Sequence, residues 1–310
     1  MNYKLEFPLS PELEKYRDRI EATIKPYIEI KIQNNDQVNW WQSKFGGFPY
    51  LPKGFEYPKT GDGKYLFLLT QLNFDEIPPL DGFPDRGILQ FYSNFQVYGV
   101  RLQGFVNHFG KCLGLRCTLF AWNLLYIADD DLYGLNLDNS SNADNHTIED
   151  QFKIIYFPHP DFKVENIITN YDFLSEPEIF PVQGSCGLQF TKKYAPISTI
   201  DYQFTELLGE EINELFMNHE IDDKYREISH SLGHKIGGYP YFTQDDVRKC
   251  NSNSDQKQKP DILLFQMDTD CCNETVDIMW GDSGVGNFFI DESALRELDF
   301  SKVLYNWDCC

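Results

Sequence analysis

Residues 44–50 read Lys44-Phe45-Gly46-Gly47-Phe48-Pro49-Tyr50, and residues 235–241 read Lys235-Ile236-Gly237-Gly238-Tyr239-Pro240-Tyr241. The two stretches agree position by position: Lys, apolar, Gly, Gly, aromatic, Pro, Tyr. Two further matches follow in the same order. The apolar run 66–73 is broken by Gln71, and the run 262–268 by Gln266. Residues 87–92 (GILQFY) match 284–289 (GVGNFF). A repeated order of three elements is the signature of an internal duplication.

This repeat sets the expected fold. Aromatic and β-branched runs of strand length, separated by Gly-, Pro- and Asp-rich stretches, read as an antiparallel meander. The expectation is an α+β protein made of two similar, mostly antiparallel sheet units. The repeats span approximately 40–135 and 230–305 of a single 1–310 domain. The Asn-, Asp- and Ser-rich stretch 136–151 is the expected surface loop between halves, and 250–260 a second polar loop. Further strands are expected around Ile28-Ile30-Ile32 and over 96–103, 152–157 and 186–191. Ser10-Pro11 opens an N-terminal helix with its stripe on Leu13, Tyr16, Ile20 and Ile24, and Pro26 stops it. A second stripe, Phe204 to Phe216, precedes the second repeat. A short helix follows over Ile221 to Leu232, with Gly233 as its stop.

Composition narrows the function classes. Asp and Glu number 48 against 27 Lys and Arg, for a net charge of −21. Such a field repels phosphate backbones and anionic lipid heads, so nucleic acid and membrane surfaces are poor partners. Basic proteins, cations and uncharged small molecules remain, with a basic protein or an uncharged small molecule as the expected partner. The start Met1-Asn2-Tyr3-Lys4 carries no apolar leader, and no stretch reaches the ~20 apolar residues of a membrane span. The eight cysteines include no Cys-x-x-Cys. Reduced thiols in a cytoplasm are the expected state, and the sequons at Asn139, Asn145 and Asn273 read as chance.

With these motifs in view, the chain resembles the YwqG-like family. The resemblance rests on residues 43–54, the Phe67-to-Asn73 strand with its Gln, residues 234–244, and Met279-Trp280-Gly281-Asp282-Ser283-Gly284 running into Phe288-Phe289-Ile290. It covers roughly residues 10–305. It implies an antiparallel, internally duplicated α+β fold and no established activity. Some members are similar in genomic setting to immunity proteins of bacterial toxin systems. Asp246-Val247 departs from the pattern, where a Pro is expected.

The candidate binding residues are Lys44, Gly46, Gly47, Gln71, His234, Lys235, Gly237, Gly238, Gln266, Trp280 and Asp282. The expectation is a non-enzymatic binding protein. It uses a crevice between the repeats that holds Lys44, Gln71, Lys235, Gln266 and Trp280. The rival is an enzyme acting on a small molecule there through His234, Asp282 and Gln266. Each residue also has a plainer role. The glycine pairs supply positive φ before an aromatic-Pro corner. A glutamine buried in an apolar strand must find hydrogen-bond partners, and a loop backbone serves. Gly281-Asp282-Ser283-Gly284 superficially matches a serine-protease nucleophile segment, but a turn before a strand accounts for it. His230 and His234 have metal-ligand spacing on a helix, yet Gly233 intervenes. No cofactor or metal is expected. Cys309-Cys310 resembles a prenylation signal without its basic support.

Overall fold

The computed structural model describes residues 3–5, 8–33, 38–94, 152–175, 177, 180–249, 260–270 and 276–309. The expected strand 96–103 and loop 136–151 lie outside these residues, as does nearly all of loop 250–260. The strands in chain order are β1 (Lys25–Gln33), β2 (Lys44–Gly46), β3 (Phe67–Asn73), β4 (Ile88–Ser93), β5 (Phe152–Phe157), β6 (Val182–Ala195), β7 (His234–Gly237), β8 (Ile262–Asp268), β9 (Val276–Ile278), β10 (Val285–Ile290) and β11 (Leu304–Asp308).

They form one antiparallel sheet in the order β11-β10-β8-β7-β1-β6-β2-β3-β4-β5, with β9 paired to the start of β6. The expectation of two sheet units is corrected here to a single continuous sheet. Strands β1 and β6 join the halves, paired from Lys25↔Ala195 to Gln33↔Gly187. They stand between β7 and β2, so the two motif strands are not neighbours. Their partnership was not legible because some 150 residues separate them in the chain.

The sheet curls until its two ends nearly meet. Phe152 of β5 lies 5.2 Å from Tyr305 of β11, and Phe91 of β4 lies 4.9 Å from Phe288 of β10. The space inside is filled by Phe45, Leu72, Leu89, Phe91, Phe265, Met267, Phe288 and Ile290. The alternation of a strand puts neighbouring residues on the outer face. There Tyr92 packs with Tyr57 and Tyr171, and Phe289 with Phe242. With both faces covered, β4 and β10 are buried along their whole length, which is why apolar residues fall on both faces of each.

The helices are shorter than their stripes. The first splits into Pro11–Glu14 and Arg17–Ala22, and Pro26 already lies in β1. The 204–216 stripe breaks at Gly209, whose φ of 91° no helix accommodates. The helix His219–Ser229 is capped by Asn218, whose side chain accepts from Glu220 N–H. It stops at His230, which takes the left-handed conformation at φ 44°, and not at Gly233.

The glycine pairs are backbone requirements. Gly46 and Gly47 have φ of 59° and 69°, and Gly237 and Gly238 both have 71°. A Cβ on Gly46 would also fall 2.3 Å from the Gly184 carbonyl oxygen, whereas Gly54, at φ 85°, has open space around it. Gly54→Ala should therefore cost only the left-handed penalty, roughly 1 kcal/mol. Gly46→Ala should cost at least about 1 kcal/mol more. Urea midpoints test this; equal losses would contradict the packing described.

Candidate functional site

The two motifs make the same hydrogen bonds. Gln71 and Gln266 are completely buried. Gln71 Oε1 accepts from Tyr50 N–H at 2.7 Å, and Gln266 Oε1 from Tyr241 N–H at 2.8 Å. Gln71 Nε2 donates to the carbonyls of Trp40 and Gln42, and Gln266 Nε2 to those of Ser231 and Gly233. The next strand adds Gln90 Nε2 to the Tyr50 carbonyl and Asn287 Nδ2 to the Tyr241 carbonyl. Even the register irregularities match: Leu69 and Leu264 are each an extra residue two places before the glutamine. Each glutamine thus ties the loop before its motif to the loop after it.

The lysines serve the same loops. Lys44 Nζ donates to the carbonyls of Asn39 (2.9 Å) and Phe48 (3.0 Å). Lys235 Nζ donates to the carbonyl of His230 and lies over the Tyr27 ring. Both are almost fully buried, at 3% and 2% exposure. Burial, which penalises the ammonium form, pushes Lys44 down to about 8 and Lys235 down to about 7; Asp268 and Glu29 oppose it at Lys235.

The loops differ in what fills the space above them. The residues before Lys44 are Asn39-Trp40-Trp41-Gln42-Ser43, and those before Lys235 are His230-Ser231-Leu232-Gly233-His234. Trp40 and Trp41 pack against Tyr50, Ile88 and Ile167, and Trp41 Nε1 donates to the Asp161 carbonyl. Position for position, Ser231 and Leu232 stand where Trp40 and Trp41 stand, and Leu232 is exposed. Beside this second loop lies a cleft of about 580 Å³, walled by β1 (Tyr27 and 29–32), Arg226 and Glu227, residues 230–234, and Asp268, Thr269 and Asp270.

His234 forms the floor of this cleft. Its Nδ1 accepts from Asp268 N–H at 3.1 Å, as Ser43 Oγ accepts from Asn73 N–H at the first motif. A neutral imidazole with Nδ1 accepting carries its proton on Nε2. That Nε2–H points toward Asp270 Oδ2, 3.8 Å away. With Nδ1 accepting, Nε2 is the donor side of the His234 ring. Asp268 is also engaged, accepting from Gly233 N–H at 2.7 Å and from Thr269 N–H at 2.9 Å. Glu29 pairs with Lys193 at 2.7 Å and Arg226 with Asp222 at 2.9 Å. Four carboxylates (Glu29, Glu227, Asp268, Asp270) face two cations (Lys31, Arg226) around the wall.

Of the eleven candidate residues, only His234 lines the cleft. Lys44, Gln71, Lys235 and Gln266 lie beneath the motif loops in the bonds given above. Trp280 is buried across Gly286, where a Cβ would fall 2.5 Å from its ring. Asp282 sits in a turn between Gly281 and Ser283, both at positive φ. His230 lies beyond the end of its helix and His234 in a strand, so they share no helical face. Among the described residues no group of three or more His, Cys, Asp or Glu side chains is placed to hold a metal. Sequence reasoning missed Glu29, Asp268 and Asp270. Extending the motif comparison four residues upstream, to Trp40 against Ser231, would have exposed the difference between the two loops.

The Lys235 environment predicts a pH dependence. The unfolded lysine holds its proton up to about 10.4, while the folded one loses it near pH 7. Across that window the unfolded state binds the extra proton, so stability should rise with pH, and Lys44 adds in the same sense from pH 8. Buried tyrosines reverse the trend only above about pH 10. Urea unfolding between about pH 7 and 9.5 should show the rise, and Lys235→Met should reduce it. An unchanged slope in that variant would contradict the assignment.

No curated protein matches the chain. Among the described residues no helix is long and apolar enough to cross a membrane. A family model described as a domain of unknown function (DUF1963) matches residues 43–109 and 123–309, which is most of the chain, and the protein belongs to that family.

Proposed function

We propose that this is a non-catalytic binding protein whose cleft above the second motif receives a cationic group of a basic partner. The observation that carries this reading is the wall itself. Asp270, 40% exposed at its side chain, stands beside the Nε2–H of His234 with three more carboxylates around it. A partly exposed carboxylate in the wall of a cleft attracts a guanidinium or ammonium, and the other three carboxylates add to that field. The net charge of −21 supplies long-range attraction for the same partner.

The groups that would serve an acid–base enzyme are committed elsewhere. Gln266 spends its oxygen and both amide hydrogens on backbone, and His234 Nδ1 is occupied by Asp268 N–H. These commitments favour binding over turnover.

The matched clamps support descent of the two halves from one duplicated unit, with the first motif sealed and the second left open. The four motifs support the YwqG-like reading of the family. A cytoplasmic setting agrees with the cysteine pattern.

The test compares tagged wild type with Asp270→Asn in pull-downs from host lysate, at low and at high salt. Basic proteins captured by wild type should be lost from the variant and at high salt, where screening removes exposed charge contacts. Equal capture by both forms at low salt would overturn the assignment to the cleft.

A further inference from the structure

The cleft does not end at the helix that walls it. A second cavity of about 460 Å³ lies on the other side of the same helix end, lined by Pro8, Leu9, Pro11, Leu13, Tyr225 and Ile228 among others. Glu227 and His230 line both cavities. The two are therefore neighbours across one ridge. The first is acidic; the second is largely apolar, with Lys224 and Glu227 as its charged wall residues.

The ridge is a strained residue. His230 holds φ 44° without being glycine, a conformation that requires support from its surroundings. That support is the buried Lys235, whose Nζ is bonded to the His230 carbonyl. At the first motif Lys44 makes the same bond to Asn39, where the tryptophans fill the loop. The ridge is thus anchored from below, and the surfaces on either side are preset rather than assembled on binding.

We infer that the two cavities form one groove for an extended segment of a partner protein, with a basic side chain in the first cavity and an apolar one in the second. This rests on the binding reading above and goes beyond it by naming the segment. Charge complementarity selects the occupant of the acidic end, and apolar burial that of the other. Because Glu227 and His230 line both cavities, the basic and apolar anchors should lie within a few residues of each other in the segment.

The experiment is selection from a positional-scanning library of labelled seven-residue peptides, read by fluorescence anisotropy. The expected result is enrichment of Arg or Lys at one position and of Leu, Ile or Met at a second, nearby position of the same peptide. The selected peptide should weaken about fivefold or more in Asp270→Asn and, separately, in Leu9→Ser, since each change removes one anchor. Pro8→Glu, at an exposed wall position, provides a second variant of the apolar end that leaves the core untouched. Enrichment of basic residues alone, with Leu9→Ser and Pro8→Glu binding like wild type, would overturn the groove and leave the cationic cleft standing. Absence of any basic preference would overturn both. Self-association that the same variants abolish would overturn the partner segment in favour of a second copy of this chain.

Discussion

A carboxamide buried without a partner costs several kilocalories per mole, and this constraint organises both halves of the molecule. Gln71 and Gln266 sit in the middle of apolar strands where no water reaches. Each meets its demand by collecting two carbonyls from the loop before its motif and one N–H from the loop after it. The loops are fixed because the amide must be satisfied. The glycine pairs at positive φ then turn the chain so that Tyr50 and Tyr241 arrive with their N–H groups facing the amide. The lysines close the remaining carbonyls from the inner side, at the cost of a weakened hold on their own protons.

The same framework has opposite outcomes at its two occurrences. At the first, Trp40 and Trp41 cover the clamp, and residues around Asp161, Ile167 and Tyr171 cover the tryptophans. At the second, Ser231 and Gly233 keep the backbone bonds, while Ser231 and an exposed Leu232 stand where the tryptophans do. Exchanging Ser43 for His234 and Asn73 for Asp268 keeps the hydrogen-bond geometry and adds a charge and an oriented donor. A site can arise in this way with no change to the sheet that carries it, because the exchanged residues keep the same backbone hydrogen bond.

Much of this was legible from residues alone. The repeated Lys-x-Gly-Gly-aromatic-Pro-Tyr motif located both corners, and the plainer role assigned to the glutamines, clamps for loop backbone, is what the structure displays. The runs 66–73, 87–92 and 152–157 match β3, β4 and β5 to within about one residue at each end. Three features were hidden for physical reasons. The β1–β6 pairing joins distant segments, and neither strand carries information about register with the other. The helix ends depended on single residues, Gly209 and His230, whose backbone angles are set by tertiary contacts. The cleft is walled by β1, the end of a helix, residues 230–234 and residues 268–270, segments far apart in the chain, so no local pattern marks it.

The central claim is that the buried glutamine clamps hold both motif loops as part of the cooperative core. Amide hydrogen exchange at Tyr50 and Tyr241 measures it directly, because each N–H is bonded to a glutamine side chain. The account predicts that both exchange only through global unfolding, with the same opening free energy as the central strands. Fast exchange at either position, while β3 and β8 stay protected, would contradict it.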